Sequence, residues 1–256
     1  MIQIGTSGYS YADWKGYFYP ETLPSKQFLS YYSNHFDALE LNFSYYKMPT
    51  ATQIEAMVRQ TDGKMTFAVK AHQCFTHQRT PATADFKQFN NALTPMTEAD
   101  CLGAVLLQFP HSFHQNGSNR QYLKRLTEQF TLPLVAEFRH VDWAAPAITD
   151  WLRKLQIGYC CVDEPALDGL MPRAEIATSN IAYVRFHGRN KTKWYNHNHA
   201  YERYNYQYSK NELQEWVPAI LKLAQDTDKT LVFFNNHFQA KAVDGARQLS
   251  QILSTL

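Results

Sequence analysis

A chain of 256 residues and 29.7 kDa has room for two small domains or for one α/β barrel, which takes about 250 residues as a single unit. Hydrophobic residues make up 45% and charged residues 19%, with a formal net charge of +2, which excludes a disordered chain and a uniformly basic nucleic-acid coat. Aromatic residues are abundant, with 16 Tyr, 16 Phe and 5 Trp.

Met1 leads directly into a strand-like run over 2–6, with no basic stretch before an apolar one, so no secretory leader is expected. Further short apolar or β-branched runs follow over 38–42, 66–70, 103–108, 134–138, 158–163, 181–187 and 230–235. None is long enough to span a bilayer. Their nearly unbroken hydrophobicity suits strands covered on both faces. Between them, helical patterns occupy 26–36, 50–60, 83–93, 119–129 and 146–155. Ser209-Lys210-Asn211-Glu212 reads as a capping box, and Leu213, Trp216, Val217, Ile220 and Ala224 share one face of the segment after it. Pro218 should interrupt that segment. A last helix carries the stripe Phe238, Ala242, Ala246, Leu249 and Leu253.

Strand–helix alternation along the whole chain implies a parallel sheet, and eight strands without a dividing linker predict one closed (β/α)8 TIM-type barrel over residues 1–256. Long loops are expected after strands one and seven. An open Rossmann-type sheet is the alternative, but Gly5-Thr6-Ser7-Gly8 lacks the G-x-G-x-x-G spacing. The same tetrapeptide is one residue short of a serine nucleophile elbow. Cys74, Cys101, Cys160 and Cys161 form no C-x-x-C pair and read as free, buried thiols of a cytoplasmic protein.

The chemistry is concentrated at the carboxyl ends of the strands. Glu40-Leu41-Asn42, Lys70-Ala71-His72, Glu137-Phe138-Arg139 and Arg185-Phe186-His187 each read polar–apolar–polar. Alternation puts both polar residues of each triplet on one face, which in a barrel is the lumen at its C-terminal mouth. Gln108, Asp163, Asn235 and Asn236 lie at the same level of strands four, six and eight. Charges are rarely buried without partners, and barrel sites occupy this face, so a ligand site is expected here. Paired carboxylates among Glu40, Glu137 and Asp163 could supply acid and base, or could form scaffold ion pairs with Lys70, Arg139 or Arg185. His72, His77, His111, His114, His187 and His237 offer metal-ligand types without a ligand motif, so no metal or other cofactor is assigned. Arg185, His187, Gly188 and Arg189, followed by Asn235, Asn236 and His237, suit an anion, because barrels frequently bind phosphate after strands seven and eight. The loop over 8–24 is rich in aromatics. That over 188–208 interleaves Arg189, Lys191, Lys193 and Arg203 with Trp194 and five tyrosines, a pattern that suits a lid or single-stranded nucleic acid.

These residues resemble the YecE-like family, also catalogued as domain of unknown function 72, over nearly the whole chain. The resemblance is carried by Ile4-Gly5-Thr6-Ser7-Gly8-Tyr9-Ser10-Tyr11 with Trp14 and Phe18-Tyr19-Pro20, and by Glu40-Leu41-Asn42 through Pro49. It continues with Phe67-Ala68-Val69-Lys70, Thr76-His77, Gln108-Phe109-Pro110 and Glu137-Phe138-Arg139-His140 with Trp143. Tyr183 through Arg189 and Phe234-Asn235-Asn236-His237 complete it. Tyr9 stands where the family often has tryptophan. The resemblance implies a TIM-type barrel and brings no reaction with it. Barrels of similar outline include divalent-metal sugar isomerases and abasic-site endonucleases, whose metal clusters have no residue-by-residue match in this chain.

The expectation is therefore an enzyme acting on a small phosphorylated or otherwise anionic substrate, sugar phosphate or nucleic-acid-derived, by hydrolysis or acid/base chemistry. Glu137 is expected as acid or base with Glu40 as its partner. Lys70, Arg139, Arg185, His187 and Arg189 are expected to hold the anion, with Asn42, His72, Gln108, Asn235 and Asn236 orienting it. The alternatives are a non-catalytic nucleic-acid or small-ligand binder using the 188–208 loop, and a divalent-metal-dependent hydrolase or isomerase. No membrane partner is expected.

Overall fold

A computed structural model describes residues 1–255. Eight parallel strands close a barrel in sequence order: β1 (Ile2–Ser7), β2 (Ala38–Leu41), β3 (Thr66–Lys70), β4 (Leu102–Gln108), β5 (Leu134–Glu137), β6 (Gly158–Asp163), β7 (Ile181–Phe186) and β8 (Lys229–Phe234). β8 returns to β1, pairing Val232 with Ile4 and Phe234 with Thr6. β4, β6 and β7 are buried along their full length, which is why their sequences show no exposed polar alternation. β1 and β2 approach so closely at Gly5 that an added Cβ would lie 1.9 Å from the Ala38 carbonyl oxygen.

The expected strands are all present, with ends shifted by a residue. Asn42, for instance, turns out of β2 with helical angles to start the short helix Phe43–Tyr46. The helix Ala51–Gln60 opens on a capping box between Thr50 and Gln53, Gly117–Gln129 is capped by the Asn116 side chain, and Pro146–Lys154 begins with proline. The Ser209–Glu212 capping box starts Lys210–Gln214 as expected. The chain then breaks, and Pro218 falls in the first turn of Val217–Asp226, where its missing N–H has no helical partner to lose. The expected helix over 26–36 is instead a 3₁₀ turn, Ser25–Gln27, running into the short Phe28–Ser33. Phe238 is not part of the last helix. It lies in a separate turn, because Gln239 and Ala240 both take positive φ before Lys241–Ser254 begins.

Two apolar layers hold the barrel. Outside the strands, Phe186 stacks on Phe234 at 4.5 Å and meets the edge of Trp216 from the Val217–Asp226 side. At the mouth, the connection after β1 forms an aromatic plug in which Tyr19 stacks on Phe28 at 3.9 Å and fully buried Trp14 donates to the His237 carbonyl. Among the described residues, no helix is long and apolar enough to cross a membrane.

Candidate functional site

Strand parity decides which polar groups meet in the lumen. Tyr183 and Arg185, two residues apart on β7, point inward, as do Ser7, Glu40 and Glu137 from strands across the barrel. The Arg185 guanidinium donates through Nη2 to Glu40 Oε1 (2.6 Å) and Ser7 Oγ (3.1 Å), and through Nη1 to Glu137 Oε2 (2.5 Å). Ser7 Oγ and the Tyr183 hydroxyl also donate to Glu40, at 2.6 and 2.7 Å. Glu40 and Glu137 are 0% exposed and Arg185 2%. A planar, permanently charged fork is suited to bridging two carboxylates in such a place, where a single lysine point charge would not span them.

The second oxygen of Glu137 faces upward. Oε1 lies 2.7 Å from Arg139 Nε and 3.3 Å from His187 Nε2, and neither contact is aligned as a hydrogen bond. Burial pushes the Glu137 carboxyl up, but Arg139 and Arg185 outweigh it and hold it well below the usual carboxylate range. Burial and the nearby Arg139 press His187 down to about 3, so its imidazole is neutral. Asn235 Nδ2 donates to His187 Nδ1 (3.1 Å), which leaves the ring proton on Nε2, toward Glu137.

Above this floor opens a cavity of ≈ 450 Å³ whose wall includes Lys70, Arg139, Arg185, Asn42, Gln108 and Asn235, with tyrosines 9, 11, 46 and 204 as its aromatic side. A neighbouring cavity of ≈ 300 Å³ shares Gln108, Arg139 and Tyr204 with it. Among the described residues, no Asp or Glu lines either one. Lys70 Nζ stands 4.3 Å from the centre of the Tyr45 ring. Burial, then Arg185, lowers its ammonium to about 8. Arg139 and Arg185 are held by carboxylates, whereas no carboxylate of the described residues reaches ion-pair distance of Lys70. Buried polar atoms without a protein partner gather here: Asn42 Oδ1, Glu137 Oε1, Arg185 Nε, His187 Nε2 and, on the far rim, His237 Nδ1.

Of the four triplets, three place both polar residues as parity requires. Glu40 lies under Asn42, Glu137 under Arg139, and Arg185 and His187 both meet Glu137. In the fourth, Lys70 reaches the cavity, but His72 sits in the turn beyond β3 and accepts from the Cys74 N–H. Glu40 is bound to Arg185 rather than to Lys70. Neither Glu40 nor Glu137 reaches the cavity surface.

Asp163, Arg189 and Asn236 leave the group. Cys160 faces Glu137 inside the barrel, so alternation turns Asp163, three residues on, outward. There it accepts from Trp216 Nε1 (2.6 Å), the Tyr208 hydroxyl (2.7 Å) and the Arg189 fork (2.7–3.1 Å). Arg189 is further tied to Glu212 and Glu215. Asn236 turns away from the mouth and donates to the Tyr206 carbonyl. In the 188–208 connection, Lys193 pairs with Glu202 at 2.9 Å, and Arg203 donates to the Trp194 carbonyl while lying over that indole.

Glu164 was not among the sequence candidates. It follows Asp163 directly, is sealed from solvent, and approaches Arg139 Nη1 at 3.3 Å while accepting from the Met171 N–H. Burial raises its carboxyl to about 7. Tyr183, also missed, extends the triplet of β7 inward by one more alternate position, a signal readable in Tyr183-Val184-Arg185-Phe186-His187.

Residues 3–256 match the family model described as "Protein of unknown function DUF72". The protein YunF of Bacillus subtilis (strain 168), named a UPF0759 protein, is 33% identical over 270 aligned positions, covering 99% of this chain and 95% of its own. A crystal structure of a DUF72 family protein from Thermotoga maritima MSB8 superposes with a TM-score of 0.92 at 37% identity, covering 99% of both chains. One from Enterococcus faecalis V583 shares the fold at a TM-score of 0.88 and 24% identity, over 99% of this chain and 96% of that one. With nearly its whole length matched, this chain belongs to the DUF72 family, whose function is unknown.

Proposed function

We propose that the barrel mouth binds a small anionic substrate, phosphorylated or carboxylated, and performs acid/base chemistry on it. The supporting observation is the asymmetry of the cavity wall, in which three cations converge and no carboxylate takes part. Lys70 is the cation with capacity to spare, since the two arginines already carry protein carboxylates. Its lowered pKa also makes it the group able to give or take a proton near neutrality. Arg139 supplies the second contact to the anion, and Asn42, Gln108 and Asn235 orient the remainder of the molecule. On this reading Glu40 and Glu137 hold Arg185 upright rather than carry protons, because both are sealed and Glu137 stays ionised. The 188–208 connection walls the cavity through Tyr204, and three of its four bases, Arg189, Lys193 and Arg203, are engaged within the protein rather than arrayed for a phosphate backbone.

Calorimetric titration at pH 7 with inorganic phosphate, a phosphate monoester and a dicarboxylate tests this. At least one should bind the wild type, with affinity reduced about tenfold or more in Lys70→Met, the size expected for a charge-assisted contact of 1.5–3 kcal/mol. Equal binding by the variant, or no binding by the wild type, would refute it.

A further inference from the structure

We infer that His114, His140 and Asp142 form a binding site for one divalent transition metal of the zinc class, on the rim of the barrel and separate from the anion cavity. His114 lies on the connection after β4, and His140 and Asp142 on that after β5, so the histidines lie 26 positions apart in sequence. His114 Nδ1 and His140 Nδ1 each stand 3.0 Å from the same carboxylate atom, Asp142 Oδ2. All three atoms lie within 4.8 Å of one another. Ligands at the bond lengths of tetrahedral zinc, 2.0–2.2 Å, are spaced at about 3.3–3.5 Å, so the two 3.0 Å contacts to Asp142 need only open slightly, while the two histidine nitrogens close from within 4.8 Å.

The hydrogen bonding favours a cation over a simple ion pair. His114 Nδ1 hydrogen-bonds Asp142 Oδ2, whereas His140 Nδ1 makes no aligned bond to that oxygen and accepts a long bond from the Asp142 N–H (3.3 Å). It therefore faces Asp142 Oδ2 as one lone-pair atom facing another at 3.0 Å, an arrangement that a metal bound to both atoms relieves.

The loops are also held in place before any ion arrives. Trp143 Nε1 donates to the Phe113 carbonyl (2.6 Å), the two rings are parallel with centres 5.3 Å apart, and both are buried. Asn119 donates to the His114 carbonyl, and Val141 donates to Gly169. His111 packs edge-on against His140 at 4.7 Å and lines the smaller cavity, so the metal would sit beside that cavity with coordination positions left for water. Two nitrogens and one oxygen select zinc, cobalt or nickel over calcium or magnesium, which take oxygen sets.

The test uses the full chain, free of any histidine tag and dialysed against chelator, titrated with Zn²⁺ by calorimetry and with Co²⁺ by visible absorption. The expected result is one equivalent of metal, with affinity reduced at least tenfold in His114→Gln and in Asp142→Asn. Both side chains are largely exposed, so both variants should fold, which circular dichroism would check. Failure of the wild type to bind Zn²⁺ below 100 µM, in the range of about 10⁻⁴ M or weaker, would overturn the site. Tight binding unchanged by both variants would place the metal elsewhere and overturn it equally.

Discussion

Replacing Arg185 by methionine would strand two carboxylates at once. The substitution keeps most of the apolar stem and removes the guanidinium that donates to Glu40, Glu137 and Ser7, all within the sealed lumen. Removing one member of a buried pair costs about 3–5 kcal/mol, chiefly because an uncompensated charge stays behind. Arg139 continues to face Glu137, so the larger share falls on Glu40, whose remaining donors are Ser7 and Tyr183. At about 2–4 °C per kcal/mol for a chain of this size, the melting temperature should drop by roughly 6–20 °C at pH 7. The sign with pH follows from the wild type. Glu137 has a depressed pKa in the fold, so the stability it contributes is present above the unfolded value near 4.5 and is lost as pH falls. In the variant the carboxylates can instead take up a proton, so the deficit against wild type should be largest at pH 7–8 and should shrink toward pH 5. Urea denaturation at those two values, with m compared to verify that the transition is unchanged, measures the deficit directly. Adding Glu40→Gln to the variant should recover part of the loss. A single variant within 1 kcal/mol of wild type, or a double variant no more stable than the single, would refute the account.

Two further outcomes follow from the pKa shifts. If Lys70 holds the anion, binding should weaken as pH rises through about 8, where its ammonium is lost, and Lys70→Met should abolish that dependence. A series of calorimetric titrations from pH 6.5 to 9.5 would show it. Glu164 has its carboxyl raised to about 7, so the folded chain retains a proton that the unfolded chain has lost above about 4.5. Its contribution is therefore complete below 4.5 and declines as pH rises to 7, by up to about 3 kcal/mol. Glu164→Gln should flatten that part of the stability–pH profile, and a profile unchanged by the substitution would show that Glu164 ionises freely in the fold.

The barrel was legible because its strands are covered on both faces. Eight nearly continuous apolar runs appear in order, and the structure closes them in that order. Alternation also brought Glu40, Asn42, Lys70, Glu137, Arg139, Arg185 and His187 together at the mouth, since period two survives to the last strand residue and often one pair beyond. It misplaced Asp163 and Asn236 because their register, fixed by Cys160 facing Glu137 and Asn235 meeting His187, puts them on the outer face. A list of polar strand ends does not carry that register. His72 was misplaced for a different reason, since the chain had already left β3 for a turn. Of the His114–His140–Asp142 group only His114 stood among the possible ligand types, because its members lie on neighbouring connections and nothing in their spacing marks them.

The charges of the mouth connect these residues to the proposed chemistry. Lys70, Arg139 and Arg185 carry three positive charges when protonated, while Glu40 and Glu137 supply two negative ones and neutral His187 none. Glu164 could complete the balance through Arg139, but its raised pKa keeps it substantially protonated near neutrality. The cluster then lacks one negative charge, and Lys70 in the cavity wall is the cation left without a carboxylate. An anionic substrate placed against Lys70 would supply that charge, raise the lysine pKa, and lower the demand on Arg139 to be neutralised by Glu164. Anion binding and Glu164 protonation are then linked. Bound anion should favour the neutral Glu164, so binding should take up a fraction of a proton near pH 7. Calorimetry in two buffers of different ionisation enthalpy would detect that uptake, and Glu164→Gln should reduce it to the smaller fraction that Lys70 takes up as its own pKa rises. Proton release instead of uptake, or uptake undiminished in the variant, would break the link between this carboxyl and the site above it.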